Sequence, residues 1–458
     1  MPVWIITGVS GSGKTTLAQA LAERMQAVYV DGDEFHPQAN INKMRAGRPL
    51  EECDRELWLR GVEGALNGLH GKTVVLAFPG LRAAHRERIR RAADSARFAY
   101  LDVDLPTVQQ RLVQRGGFFP PELASSQFEL LERDPGAWPL DARLPADQVL
   151  AQALAWAQPG SCAVIGLGRM GLGLAQRLKA AGFTVQGWDE DPAARARAAQ
   201  AGIGSPKSLG EAVKGLQAPR RVLFSLPAGG ATQSVLKAIL PILQPGDLVI
   251  NAANERHQVS AAAAAALGED GVAYVDAGVS GGVFGAANGY CVMAGGSPPA
   301  FAKAMPLLHA VAAPGALLHV GPAGQGHLVK TVHNGIEYGL MQAYAEGFEV
   351  LHADGHGKLD LAAIAQLWGN GAVVRSWLLE LAAAELAQDP ELERYEGRVG
   401  ENSTGRWAAE LAEERGVPVP VLQAALEGRE RSRTAPSFGS KLLSGLRARF
   451  GGHAEAGR

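Results

Sequence analysis

Short apolar runs alternate with helical patterns over the first two thirds of the chain. Val3–Thr7, Val28–Val30, Val74–Phe78 and Phe98–Val103 read as buried strands, with helical stretches such as Leu17–Leu21 between them. A polar break, Gln158-Pro159-Gly160-Ser161, precedes a second series: Cys162–Ile165, Thr184–Trp188, Arg221–Ser225, Asp247–Ile250 and Val272–Val275. This alternation predicts an α/β protein with two doubly wound parallel sheets in series. The alanine run Ala261–Ala266 fits a helix segment. Beyond about Leu328 the strand signals stop, and helical patterns continue to the end. The expected units are therefore residues 1–158, 161–328 and 329–458, the last all helical.

Composition narrows the function classes. A chain of 458 residues is too long for one ordinary domain. Its 44 Lys+Arg against 46 Asp+Glu leave a net charge of −2, which argues against nucleic acid or an acidic membrane as a general partner. Cys53, Cys162 and Cys291 are widely spaced and form neither a disulfide framework nor a metal motif. With no leader-like start and no apolar run of membrane-spanning length, the expected location is the cytoplasm. Glycine stands out: 57 residues, about 12% of the chain against roughly 7% in an average protein. That excess directs attention to loops where backbone must approach a ligand.

The first such loop, Gly8-Val9-Ser10-Gly11-Ser12-Gly13-Lys14-Thr15, matches GxxxxGK[ST] after a strand and before a helix. Gly8, Ser10, Gly11 and Gly13 would wrap phosphate with backbone N–H groups. Lys14 would offset its charge, and Thr15 would hold Mg2+ carried by ATP. Asp33 follows the next strand, where a carboxylate can orient an accepting hydroxyl. The run continues Glu34-Phe35-His36-Pro37, Asn40, Lys43-Met44, Asp54-Arg55 and Trp58-Leu59. Over about residues 3–157 it resembles the P-loop gluconokinases. The resemblance implies a P-loop kinase fold in which Lys14, Thr15 and Asp33 serve ATP-Mg2+ and the sugar hydroxyl, while His36 and Arg55 contact gluconate. Phe78-Pro79-Gly80-Leu81-Arg82 departs from the family's Cys-Ser-Ala-Leu-Lys run. Arg115-Gly116-Gly117-Phe118 lacks the family's lid histidine.

The second loop, Gly166-Leu167-Gly168-Arg169-Met170-Gly171, is GxGxxG after a strand, and Asp189 ends the next strand 18 residues past Gly171. Gly166, Gly168, Met170 and Gly171 would receive a dinucleotide, with Asp189 on the ribose hydroxyls. Glu190 beside it would repel a 2′-phosphate, which favours NAD over NADP. Further on, Ser280-Gly281-Gly282 can bring a substrate against bare backbone. In the stretch from Gly321 to Tyr338, Lys330, His333, Asn334, Glu337 and Tyr338 fall at i, i+3, i+4, i+7 and i+8, one face of a helix. Ile336, Leu340, Tyr344, Phe348 and Leu351 form another stripe, suited to packing.

From about Ser161 to the end, the sequence resembles the short, single-helical-domain form of 6-phosphogluconate dehydrogenase. SGG, the GHxVKxVHNGIEY run and Phe450-Gly451-Gly452-His453 carry the likeness. The resemblance implies a Rossmann NAD-binding domain followed by an all-α domain. It makes Lys330 the base on the C3 hydroxyl and Glu337 the acid that protonates the enediol left by decarboxylation. Asn254, Ser280, Gly281, Gly282, His333 and Asn334 would position nicotinamide and sugar, and Tyr338, Arg375, Arg406, Arg447 and His453 would bind phosphate or its surroundings. It further implies a homodimer or higher oligomer, with Arg447 and His453 crossing to the neighbouring subunit. The family's Asp-Gly-Gly-Asn-Ser run reads Asn251-Ala252-Ala253-Asn254-Glu255 here.

The two resemblances join as chemistry, since the first would make the substrate of the second. The expectation is a bifunctional enzyme acting on gluconate and then 6-phosphogluconate, with ATP, Mg2+ and NAD. Two alternatives stay open: a dehydrogenase carrying a decayed nucleotide-binding sensor or assembly module, and enzymes for related acids.

Overall fold

The computed structural model describes residues 2–93, 95–115, 121–227, 229–354, 359–400, 403–452 and 455. The chain parts into two compact units, Met1–Pro159 and Gly160–Arg458, at the polar break. No described helix is long and apolar enough to cross a membrane.

In the first unit, β1 (Val3–Thr7), β2 (Val28–Asp31), β3 (Val74–Ala77), β4 (Ala96–Asp102) and β5 (Trp138–Asp141) form one sheet in the order β2-β3-β1-β4-β5. All four neighbouring pairs are parallel. Ile5, Val62, Leu76, Phe78 and Ile89 are fully enclosed in its core, as strands covered on both faces require. β5 has no counterpart in the sequence reading, because Trp138-Pro139-Leu140-Asp141 is short and carries a proline, which suits it to the sheet edge it occupies. β1 lies where the strand order reverses, so the glycine loop at its carboxyl end opens into the crevice that α/β sheets use for ligands.

In the second unit, β6 (Ser161–Ile165), β7 (Thr184–Trp188), β8 (Arg221–Phe224), β9 (Leu248–Asn251), β10 (Ala273–Ser280), β11 (Tyr290–Gly295) and β12 (Ala312–Gly321) give the order β12-β11-β10-β9-β8-β6-β7. The expected wholly parallel sheet needs a correction: β11 runs antiparallel to β10, with Ser280 opposite Cys291. Only residues 281–289 join these strands, too few for a parallel crossover. β11 and β12 have no counterpart in the sequence reading: Pro314-Gly315 interrupts β12, and the five apolar residues Tyr290–Ala294 of β11 are too short a run to tell a strand from a buried helix segment.

A 29-residue helix, Gln325–Ala353, leaves the sheet and forms the spine of the helical part. Met341, Ala345 and Phe348 on it pack with Leu379, Leu442 and Leu446. The stripe read as packing is only partly covered: Phe348 is enclosed, but Ile336 is 61% and Leu340 44% exposed. Together with Val332 these residues line an open apolar groove against residues 417–422.

Candidate active sites

The first glycine loop runs straight into the Lys14–Met25 helix, whose N-cap Gly13 adopts a left-handed backbone with φ 101°. Such a value turns successive N–H groups toward one point at no steric cost to glycine. Lys14 is buried and donates to the carbonyl oxygen of Val9 at 3.0 Å, so its ammonium curls over its own loop. Thr15 Oγ1 donates to Asp31 Oδ2 at 3.3 Å, and the other oxygen of Asp31 accepts the backbone N–H of Asp33 at 3.0 Å. Of the two carboxylates in Asp31-Gly32-Asp33 it is Asp31 that meets Thr15, where a carboxylate is a natural metal partner. Gln127 is another addition. Its amide donates to Ser10 Oγ at 3.1 Å and accepts the Ser10 N–H at 2.6 Å, which ties the loop to the helix Ala124–Glu129.

Ser10, Asp33, His36 and Arg55 line one pocket, as expected, and Arg82, His85 and Gln127 join them. His36 stacks on Trp58 at 4.8 Å, and Trp58 stacks on Phe78 at 5.2 Å. Trp58 is fixed by its indole N–H, which donates to the Gly32 carbonyl at 2.7 Å. The departure at Phe78 thus supplies the bottom ring of a three-ring stack. Burial lowers the pKa of His36, opposed by Asp33, so its ring is predominantly neutral near pH 7. Gly116, Gly117 and Phe118 lie outside the described residues. These donors fit a triphosphate with its metal: a strand, a loop of inward N–H groups, one ammonium and the Thr15–Asp31 pair.

The second glycine loop is held by contact. A methyl on Gly171 would run into the carbonyl oxygen of Gly166, and one on Gly166 into that of Ser225. Asp189 at the end of β7 accepts the Leu167 N–H at 2.6 Å and the Asp191 N–H at 2.9 Å, which locks its carboxylate against the loop. Loop, helix Arg169–Ala180 and acid together fit a dinucleotide.

A cavity of about 740 Å³ lies beside it, lined by Met170, Asn254, Ser280, Gly281, Gly282, Lys330, His333, Asn334, Glu337 and Tyr338. The predicted helix face is therefore the wall of a pocket. Gly278 lets it come close, since a side chain there would collide with Lys330. Lys330 Nζ is 3.4 Å from His333 Nδ1, and His333 Nε2 is 3.3 Å from Ser280 Oγ. A carboxylate oxygen of Glu337 lies 3.8 Å from the same Nδ1. Burial pulls the Lys330 ammonium down to about 8, with Glu337 and Cys291 opposing. Burial raises the Glu337 carboxyl, against Lys330, Arg429 and Arg447. Depressing a base while raising an acid in one pocket is an arrangement suited to proton transfer near neutral pH.

Other expected residues fall elsewhere. Arg375 and Arg406 are exposed and do not line the cavity. Arg447 is buried beside Glu337 and Tyr338 of its own chain, where the sequence reading had it cross to a neighbour. The helix Phe438–Gly451 carries it there, and a side chain on Gly282 would strike the carbonyl oxygen of Phe450. His453 lies outside the described residues. The sequence reading missed Arg429, which is 2% exposed and lays its guanidinium over the Tyr338 ring at 3.4 Å. It missed Thr404 and Cys291 in the cavity wall as well.

The fold and the two sites define a P-loop kinase-like unit followed by a Rossmann dehydrogenase with a helical domain. Residues 161–321 match the family model for the NAD binding domain of 6-phosphogluconate dehydrogenase, residues 326–438 that for the C-terminal domain of 6-phosphogluconate dehydrogenase, and residues 3–129 that for an AAA domain. The NAD(+)-dependent, decarboxylating 6-phosphogluconate dehydrogenase of Haloferax volcanii is 41% identical over 292 residues, 63% of this chain and 96% of that protein. The chain belongs to the 6-phosphogluconate dehydrogenase family. A Plasmodium falciparum 6-phosphogluconate dehydrogenase structure matches with a TM-score of 0.55 and 30% identity, covering 60% of this chain and 62% of that one. A gluconokinase from Sinorhizobium meliloti is similar too, 31% identical over 34% of this chain and 90% of that chain, with a TM-score of 0.32.

Proposed function

We propose that the chain is a bifunctional enzyme that phosphorylates gluconate with ATP and oxidatively decarboxylates the resulting 6-phosphogluconate with NAD. The observation that carries the second activity is the Lys330–Glu337 pair on one buried helix face, its pKa values pushed toward each other. A dinucleotide held by Gly166–Gly171, Asp189 and Asn254 would supply the hydride acceptor for C3. Neutral Lys330 takes the C3 hydroxyl proton, and the 3-keto acid then breaks its C1–C2 bond to release CO2. Glu337 gives its proton to the carbon left behind, so that ribulose 5-phosphate results. Asn254, Ser280, His333 and Asn334 orient sugar and nicotinamide, with Gly281 and Gly282 admitting the sugar to bare backbone. Tyr338 lines the phosphate end, and the buried cations behind it, Arg429 over its ring and Arg447 beside it, favour an anion there. NAD is favoured over NADP by Asp189 and Glu190, and the Haloferax relative is NAD(+)-dependent by its name.

In the first unit, ATP with Mg2+ supplies the phosphoryl group. Lys14 would neutralise charge on it, Thr15 would hold the metal, and Asp33 would receive the proton of the accepting hydroxyl. Its pocket with Asp33, His36 and Arg55 on one wall supports a sugar-acid substrate. The altered Phe78–Arg82 run is the observation behind the alternative of a decayed binding module. A coupled assay tests the proposal: gluconate, ATP and NAD together yield NADH, and omission of ATP or gluconate abolishes it. ADP release that does not depend on gluconate, or no CO2 from 6-phosphogluconate, would overturn it. The proposed cytoplasmic homodimer predicts a mass near twice 48.0 kDa in solution.

A further inference from the structure

In the wall of the kinase pocket, Arg55 belongs to a cluster whose other members, Glu52, Arg82 and His85, have no part in the mechanism above. Arg55 and Arg82 both direct Nη1 to Glu52 Oε1, at 2.8 and 2.9 Å. His85 Nε2 lies 3.3 Å from the other oxygen of the same carboxylate, Oε2. Arg55, Arg82 and His85 line the cavity, whereas Glu52 does not. The carboxylate is the most open member, with its side chain 57% exposed against 15%, 34% and 7% for Arg55, Arg82 and His85. Burial pushes the Glu52 carboxyl up, but hydrogen bonds from His85 and Arg55 more than reverse this, so it is an anion at neutral pH.

Three donors from separate elements thus converge on one carboxylate. Arg55 comes from the helix Glu52–Gly68, Arg82 from the loop after β3, and His85 from the helix Ala83–Ala92. His85 is nearly enclosed and meets the edge of Trp58, the ring under His36. Guanidinium forks pair with planar carboxylates in preference to hydroxyls.

We propose that Arg55, Arg82 and His85 are the carboxylate-recognition wall of the kinase pocket, and that Glu52 is an internal competitor that the carboxylate end of a linear sugar acid displaces. This rests on the reading of the first unit as a sugar-acid kinase and names what selects its substrate class. Displacement leaves the exposed Glu52 side chain in solvent, where it loses little, while the two arginines and His85 stay paired. A neutral polyol of the same length cannot make the exchange, since it would leave Glu52 in place.

The test uses the full chain, with gluconate and neutral glucitol as probes, followed by calorimetric binding and by ADP release. Glu52→Gln removes the competing charge at an exposed position, so the fold is not at risk. Expected is gluconate binding about two- to fivefold tighter, the range that an exposed ion pair is worth. The KM for gluconate falls in parallel, with glucitol unaffected. Arg82→Gln weakens gluconate about tenfold or more, as loss of a charge-assisted hydrogen bond requires, and again spares glucitol. Unchanged or weaker gluconate binding in Glu52→Gln, with wild type active on gluconate, overturns this inference and leaves the kinase reading standing. Gluconate binding that tightens in Glu52→Gln without any ADP release supports the inference and overturns the kinase reading. No gluconate binding by any form overturns both.

Discussion

In the first pocket, charged groups find polar partners at hydrogen-bond distance: Glu52 holds the Arg55 and Arg82 guanidinium groups and meets the His85 ring, and Lys14 donates to a carbonyl. In the second, Lys330 is buried and Glu337 half-buried, and burial disfavours the charged form of each before any partner acts. The contrast follows from the chemistry proposed for each. Phosphoryl transfer handles a group that is anionic throughout, so fixed countercharges serve it. Oxidative decarboxylation moves protons, so its groups must change charge at ordinary pH, and desolvation is what brings a lysine and a carboxylic acid within range.

The most severe way to break this comparison is Lys330→Met. Loss of the base lowers kcat for 6-phosphogluconate oxidation by about 10³-fold, within the range of general base catalysis. The same variant gains stability, because a disfavoured buried cation is gone. The signs can be checked by titration. Wild-type oxidation rises with pH until Lys330 is neutral at about 8, falling about tenfold per unit below that. The folded pKa lies below the ordinary 10.5, so the fold binds fewer protons between these values. Wild-type stability therefore climbs from about pH 8 to 10.5, and Lys330→Met loses that climb. A flat profile in wild type would show that burial does not set this lysine.

Lys14→Ala makes the converse break in the first pocket. Removing one preorganised cation from the phosphate cradle lowers gluconate-dependent ADP release by about 10²- to 10³-fold. Supplied 6-phosphogluconate is still oxidised at the wild-type rate. A parallel loss of both activities would contradict two separately built sites.

How far the chain could be read in advance differs between these pockets for a physical reason. Gly8–Thr15 and Gly166–Gly171 were legible because a phosphate-binding turn imposes its needs on consecutive residues. The Lys330-to-Tyr338 face was legible because helical spacing places it on one side. Glu52 with Arg82 and His85 was not, since the meeting depends on how β3 and two helices pack, and no local pattern encodes that. Arg429 escaped for the same reason: it reaches Tyr338 from a helix about ninety positions further along. The apolar residues Ile336 and Leu340 fit a packing stripe by periodicity, yet periodicity does not say which neighbour covers them.

A smaller effect sharpens the coenzyme side. Asp189→Asn keeps the shape of the side chain but removes the charge proposed to face the ribose. About tenfold is lost in kcat/KM with NAD, the worth of one charge-assisted hydrogen bond, and NADP is rejected less strongly. If the ratio of NAD to NADP rates does not move, the acid serves only to brace Leu167.

The smallest expected change separates two arginines. Family resemblance assigned phosphate binding to Arg375, but its side chain is exposed and away from the cavity, whereas Arg429 is enclosed against Tyr338. A solvated arginine outside the pocket contributes little to a substrate it does not touch. Arg375→Ala should therefore shift the KM for 6-phosphogluconate by about twofold or less. Arg429→Met, which leaves Tyr338 in the cavity wall without its stacked cation, should raise it by about two- to fivefold, the worth of a cation–π contact. The reverse order would mean that Arg375 enters the cavity only when substrate or a second copy of the chain is present, and the KM of each variant measured across protein concentration would tell those two apart.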